Sequence, residues 1–403
     1  MIAVPLILAL AVAILLLPMV SDLTSAAKVL LGPDRRSRPA PAELPHLLFL
    51  VPAHNEELLI ESCLRSLRCL RYPVERFAVV VIADNCTDRT AAIARATGVR
   101  CLERTEPERP GKPGALAWAV ARLPLPEYDA VLIVDADTTV DPGFASALAS
   151  AAPLRDKVLQ PYNDVANRSD NALTRMAGVL ATETCLAFRL KRRAGLNVPV
   201  SAGMCIGTGV LATHGWNAFS LSEDWEIYAS LTAAGVLIDY VEAAHLYAQE
   251  ARSLHQSATQ RQRWTAGKVA VLRHTSPGLL RSRRIALSQK LDALAELSAP
   301  GPAVHLGVVA ACCALTWLVP APGATLLTLA LTASLLRPAT YTVIALGSDP
   351  EPWRALAAFS FLPLYTPWRL WTLLGSLRMM GNKPWVRTER HVPRRAVTDA
   401  HDL

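Results

Sequence analysis

The sequence lacks several common signatures, and each absence narrows the function. No Cys-x-x-Cys pair occurs among the eight cysteines, and no Cys and His cluster has zinc spacing, so a structural zinc site is not expected. Those cysteines stand singly beside apolar neighbours and read as small core residues in a reducing compartment. No Gly-x-Gly-x-x-Gly follows an apolar run, which removes the dinucleotide fingerprint. Gly111-Lys112-Pro113-Gly114 lacks Walker spacing. Aromatics make up only 6% of the chain and are not interleaved with its lysines and arginines, so nucleic acid is not an expected partner. No positive charge precedes the first apolar run, which argues against a cleaved leader.

What is present is apolar at the ends and charged in the middle. The 403 residues are 52% hydrophobic, with net charge +7 and mean hydropathy +0.26. Ile2 to Val20 is uncharged and nearly long enough to span a bilayer, and Arg35, Arg36 and Arg38 follow it. Positive charge after the helix places that side in the cytosol. Pro302 to Val319 and Ala324 to Leu346 read as further spans, although Arg337 is costly at mid-bilayer unless it meets protein, water or a headgroup. Ala355 to Leu377 is interrupted by Pro363, Pro367 and Arg369, which suits an interfacial or broken helix. Ile285 to Leu297 carries Lys290, Asp292 and Glu296 at helical spacing and could lie flat on a membrane. The basic clusters Arg35 to Arg38, Lys191 to Arg193 and Arg281 to Arg284 suit lipid headgroups and nucleotide phosphates. The expected divisions are an anchor at 1–32, a soluble catalytic domain at 44–280, an interfacial helix at 281–300, membrane or interfacial helices at 301–378 and a basic tail at 379–403.

Within the middle, short apolar runs end in polar clusters. Leu47 to Val51 runs into Pro52-Ala53-His54-Asn55-Glu56, Phe77 to Ile82 runs into Asp84, and Ala130 to Val134 runs into Asp135-Ala136-Asp137. Helical patterns at Glu61 to Leu70 and Thr90 to Ala96 separate them, which predicts a parallel α/β sheet whose ligands bind beyond the carboxyl strand ends. Asp135 and Asp137 can jointly reach a divalent cation; strand-end Asp residues also commonly cap helices. Ser222-Glu223-Asp224 opens an expected helix at Trp225 to Ala233. Ser222 reads as its N-cap, and Asp224 as a general base for an acceptor hydroxyl. Gln260-Arg261-Gln262-Arg263-Trp264 puts Gln260, Arg263 and Trp264 on one helical face, where Arg suits phosphate and the indole suits sugar stacking.

In that order, Asp84, Asp135 to Asp137, Ser222 to Asp224 and Gln260 to Trp264 resemble the membrane-embedded family 2 glycosyltransferases, the group containing cellulose, chitin, hyaluronan and poly-N-acetylglucosamine synthases. The resemblance covers Leu47 to Lys268. It implies a GT-A-like, mostly parallel sheet domain inserted between an N-terminal transmembrane helix and C-terminal transmembrane or interfacial helices, multi-pass in the plasma membrane and facing the cytosol. It further implies donor-binding roles for Pro52, His54, Glu56, Asp84, Lys112, Asp135, Gln260, Arg263 and Trp264, with Mg²⁺ or Mn²⁺ on Asp135 and Asp137. Ala117 replaces the Asn usual in the Lys112 segment. Asp224 resembles the catalytic base and Glu223 its orienting neighbour, for inverting transfer from a nucleotide-sugar donor of UDP type. Trp385 to Arg390 is similar to a gating segment whose arginine, Arg390, approaches the donor diphosphate. A growing polysaccharide is the expected acceptor, with a homo-oligomer or export partner to complete a channel; single addition to a membrane lipid is the alternative.

Overall fold

The computed structural model describes residues 3–31, 43–318 and 323–378; Arg35, Arg36, Arg38 and the Trp385 to Arg390 segment, including Arg390, lie outside them.

The run of apolar residues in Leu47–Ala53 (β1) is explained by its place in the sheet. Leu48 and Leu50 enter the core on one face, and Leu47, Phe49 and Val51 enter the core on the other. A strand buried on both sides carries no polar alternation. Phe77–Asp84 (β2), Arg100–Arg104 (β3) and Ala130–Ile133 (β4) share its direction. Val158–Val165 (β6) and Ile238–Ala248 (β8) are parallel to each other; Cys205–Gly207 (β7) runs antiparallel between β4 and β6, and Thr138–Val140 (β5) runs antiparallel on β8. The sheet order is β3-β2-β1-β4-β7-β6-β8-β5. The parallel sheet expected from the strand-helix alternation is therefore mixed, because β7 returns against β4. The carboxyl ends of β1, β2 and β4 still open on one edge.

Ile60–Arg68 (α2) packs on one face through Ile60, Cys63, Leu64 and Leu67, a stripe with helical period. Thr90–Ala96 (α3) lies beyond it, and Lys112–Val120 (α4) covers the other face through Ala115, Leu116 and Ala119. Phe144–Ala149 (α5) joins the α2 side, Ala172–Ala194 (α6) is a long connector, and Thr208–His214 (α7) follows β7. Glu223–Ala233 (α8) starts two residues earlier than the sequence suggested. Leu254–Arg281 (α9) then leads to the C-terminal helices.

Ala3–Leu31 (α1) contains a segment, Pro5–Leu31, long and apolar enough to cross a membrane. Ala324–Ser334 (α12) and Leu336–Gly347 (α13) together form a second, Ala324–Gly347. Leu287–Ser298 (α10) and Pro302–Leu318 (α11) are bent by 80° relative to each other and count as a third only if taken as one span. Pro352–Ala358 (α14) and Leu362–Leu377 (α15) are separated by a single 3-10 turn, the broken helix expected from the prolines. Arg337 meets Asp22 of α1 at 2.8 Å, so its charge is neutralised inside the bundle. The acids of α10 also turn inward: Asp292 accepts from Ser21 at 2.6 Å and pairs with Lys191, which meets Glu296 at 3.0 Å. The helical spacing of those charges reflects an internal polar seam between α1, α6 and α10, not a wetted face.

Candidate active site

The site begins where β1 and β2 end. Asn55 and Asn85 both adopt positive φ, 54° and 48°, a conformation that asparagine tolerates better than most residues. These turns release the chain from the sheet and aim His54 and Asp84 at the same edge. His54 Nδ1 lies 2.7 Å from the Asp84 carbonyl oxygen. The Asp84 carboxylate is buried: Arg104 pairs with one oxygen and the Gly111 N–H donates to the other at 2.9 Å. Gly111 has φ 91°, and a Cβ on Gly114 would stand 2.4 Å from the Arg109 carbonyl. Gly111 to Gly114 is thus shaped by backbone constraints, and it delivers Lys112 to the start of α4.

Lys112 is the hub. Its ammonium is 2.7 Å from Asp135 Oδ1 and 3.1 Å from Glu223 Oε1. Burial would lower its pKa, but Asp135 and then Glu223 outweigh that and hold it above the ordinary lysine value. Ala117 packs against the apolar core, so the replacement of Asn there leaves this hub intact.

Asp224 sits beside the hub on the first turn of α8. Its Oδ1 accepts the Trp225 N–H at 2.8 Å. Burial, then the Glu223 charge, push its pKa up to about 7, with Lys112 opposing the rise. The carboxylate is therefore poised to exchange a proton near neutrality, as a general base requires. Ser222 occupies the N-cap position, but contrary to expectation its side chain makes no capping bond. The reason is close packing: a Cβ on Gly267 of α9 would fall 2.2 Å from Ser222 Oγ. The preceding loop is held instead by Glu226, which accepts the Phe219 and Ser220 N–H groups at 2.9 and 2.8 Å.

On α9, the expected one-sided presentation holds: Gln260, Arg263 and Trp264 reach the site. Arg261 turns away to pair with Glu250 at 2.6 Å, and Gln262 lies against Gly375 of α15. One cavity of about 420 Å³ is lined by Pro52, His54, Glu56, Asp84, Lys112, Asp135, Asp137, Glu223, Asp224, Gln260, Arg263 and Trp264. Every candidate side chain among the described residues thus converges on a single cleft, although the chain between the first and last exceeds half its length.

Sequence reasoning missed four contributors. Arg104 ends β3, a short strand whose Arg-Cys-Leu-Glu-Arg alternation was its only signal. Asn163 and Ser201 line the cavity beyond β4 and are bonded to each other at 2.7 Å, with Gln160 behind them accepting the Ser201 N–H at 2.8 Å. Phe219 lies half exposed at the rim. No local pattern marks the last three.

Among the described residues no group of three or more His, Cys, Asp or Glu side chains is arranged to hold a metal. Asp135 and Asp137 nevertheless fit one: they are hard oxygen donors at a strand end, and Asp135 already faces a positive charge in Lys112. Magnesium and manganese sites often use one or two carboxylates, with substrate phosphates supplying further oxygens.

A sequence profile described as "Glycosyltransferase like family 2" matches residues 45–267. A probable glycosyltransferase, YdaM, from Bacillus subtilis (strain 168) is 27% identical over 248 residues, 57% of this chain and 57% of that protein. A beta-monoglucosyldiacylglycerol synthase from Nostoc sp. is 28% identical over 200 residues, 46% of this chain and 40% of that protein. The match thus spans little more than half of the curated relatives, or less. Among solved structures, the mannosyltransferase PcManGT from Pyrobaculum calidifontis, in complex with GDP-Man and Mn²⁺, is 19% identical and covers 93% of this chain and 98% of its own, with a TM-score of 0.57. That likeness establishes a shared GT-A fold.

Proposed function

The chain belongs to the family 2-like glycosyltransferases, and from that premise we propose that it transfers one sugar from a nucleoside-diphosphate sugar to a hydroxyl of a membrane lipid, with inversion. The observation that carries the chemistry is the Lys112 hub, which brings Asp135 and Glu223 within 3.1 Å of one ammonium, next to Asp224. His54 and the Asp84 turn would receive the nucleoside at the ends of β1 and β2. Asp135 and Asp137 would hold a Mg²⁺ or Mn²⁺, which when bound neutralises charge on the departing diphosphate. Arg263 would contact the diphosphate. Asp224 takes the proton of the acceptor hydroxyl as that oxygen attacks the anomeric carbon from the face opposite the leaving diphosphate. Glu223 positions Lys112, and Lys112 opposes the rise in the Asp224 pKa, so that a fraction of Asp224 is ionised near pH 7.

The lipid acceptor is supported by the glycolipid synthases among the relatives and by two helices apolar enough to cross a bilayer. We place the catalytic domain on the cytosolic side because positive charge follows α1. A growing polysaccharide is the second reading, favoured by Gln260, Arg263 and Trp264 at the cavity. The full chain in detergent, given UDP- and GDP-sugars with Mg²⁺ or Mn²⁺ and a diacylglycerol acceptor, tests both. Release of nucleoside diphosphate with one lipid-soluble product supports single addition; a size ladder assigns the polymer. Asp224→Asn should lower turnover about 10²- to 10⁴-fold while the Kd for nucleoside diphosphate is retained. Near-wild-type transfer by that variant would remove Asp224 as the base.

A further inference from the structure

Three helix ends meet at one corner of the molecule. The end of α1 brings Lys28, Leu30 and Leu31, the end of α9 and its following turn bring Leu280, Arg281, Arg283 and Arg284, and the start of α10 brings Leu287 and Lys290. Two bonds fix the meeting: Lys28 Nζ donates to Ser288 Oγ at 2.7 Å, and Lys290 Nζ donates to the Leu280 carbonyl at 2.7 Å. Arg284 packs against Gly235, in the turn before β8.

The corner has an unusual composition for a water-facing surface. Leu30, Leu31 and Leu287 are 83%, 88% and 69% exposed, beside five cations. None of Lys28, Arg281, Arg283, Arg284 or Lys290 enters an ion pair among the described residues, because the nearby acids are committed elsewhere. Asp292 and Glu296 face Lys191, and Asp239 lies 3.5 Å from Arg192. Geometry supplies the orientation. With α1 crossing a bilayer, the Lys28 to Ser288 and Ser21 to Asp292 bonds start α10 level with the end of α1 and run it back alongside that helix. The corner then sits where the Pro5–Leu31 segment leaves the apolar layer.

We propose that this corner is a docking surface for the headgroups of anionic phospholipids. The guanidinium and ammonium groups would take the phosphate oxygens, and the exposed leucines would enter the acyl boundary. Arg281 lies seventeen residues along α9 from Trp264, roughly 25 Å at helical rise, so the surface is separate from the cavity. It joins the membrane to the helix that carries Gln260, Arg263 and Trp264.

The test uses the full chain in lipid nanodiscs with spin-labelled phosphatidylglycerol or phosphatidylcholine, reading relative association from the motionally restricted signal. A cation near an anionic surface contributes about fivefold in partitioning. The wild type should prefer phosphatidylglycerol about fivefold or more, and 0.5 M salt should erode that preference. The combined variant Arg281→Gln, Arg283→Gln, Arg284→Gln should show less than about twofold preference with sugar transfer in neutral lipid unchanged. Equal association of both lipids with the wild type, or an unchanged preference in the variant, overturns the proposal. Should the triple variant fail to fold, Arg281→Gln and Arg283→Gln made singly carry the test, each with a partial loss expected.

Discussion

Replacing Lys112 with methionine tests the electrostatic design of the site. The substitution keeps much of the apolar stem and removes the ammonium that lies beside Asp135 and Glu223 at 2.7 and 3.1 Å. In the native site Lys112 opposes burial and Glu223, and Asp224 titrates at about 7. An opposite charge within a few ångströms typically shifts a carboxylate by about 1–3 units; exposure of roughly a quarter to a third at Lys112 and Asp135 argues for the lower half of that range. The expected Asp224 pKa in the variant is thus about one to two units higher. The sign follows directly: a proton must leave Asp224 before it can accept one, so activity rises with pH through its pKa. At pH 7 the ionised fraction falls from about one half to between a tenth and a hundredth, a loss of about 5- to 50-fold in kcat/KM. The assay is nucleoside diphosphate release between pH 5 and 10. The wild-type limb should rise through about pH 7, and the variant limb should move to higher pH and recover activity there. A variant that loses activity equally at every pH would show that Lys112 only binds donor, and an unmoved limb would refute the electrostatic argument.

Two further substitutions probe the supports of the site. Gly267→Ala would drive a methyl group into Ser222, 2.2 Å from its Oγ, and displace the first turn of α8; a shift of about 1 Å at Asp224 should cost up to about 100-fold in kcat. A lowered unfolding midpoint, from an overpacking cost of about 1–3 kcal/mol, with a loss of activity larger than that cost explains is the expected pair of readouts, and wild-type activity would show that the contact is slack. Arg104→Leu leaves the buried Asp84 carboxylate without its cation and should destabilise the protein by about 3–5 kcal/mol. An unaltered unfolding midpoint would mean that the Gly111 N–H and Asn85 suffice to hold that charge.

Much of the candidate site was legible because its elements are local. The run Leu47 to Val51 announces a doubly buried strand, and two acids two residues apart just beyond β4 announce a cation or turn site. Spacing of three and four residues suffices to put Gln260, Arg263 and Trp264 on one side of α9. Their order along the chain also identified the family. Caps and interfacial faces were read less well, because the same residues serve either role until packing is known. Ser222 had the right type and place for a cap, yet Gly267 claims its space. Asp292 and Glu296 had amphipathic spacing, yet Lys191 draws them inward.

By itself, then, the sequence determined the strands, the strand-end acids, the helical face of α9 and the apolar ends, since backbone geometry converts short-range periodicity into direction. Only the tertiary structure decided which charges meet. Lys112 joins Asp135 to Glu223, Arg104 reaches Asp84, and Arg337 finds Asp22 from the far end of the chain. Periodicity fixes where a side chain points along its own element, but the partner it finds there is set by how the sheet order and the helix crossings bring distant segments together.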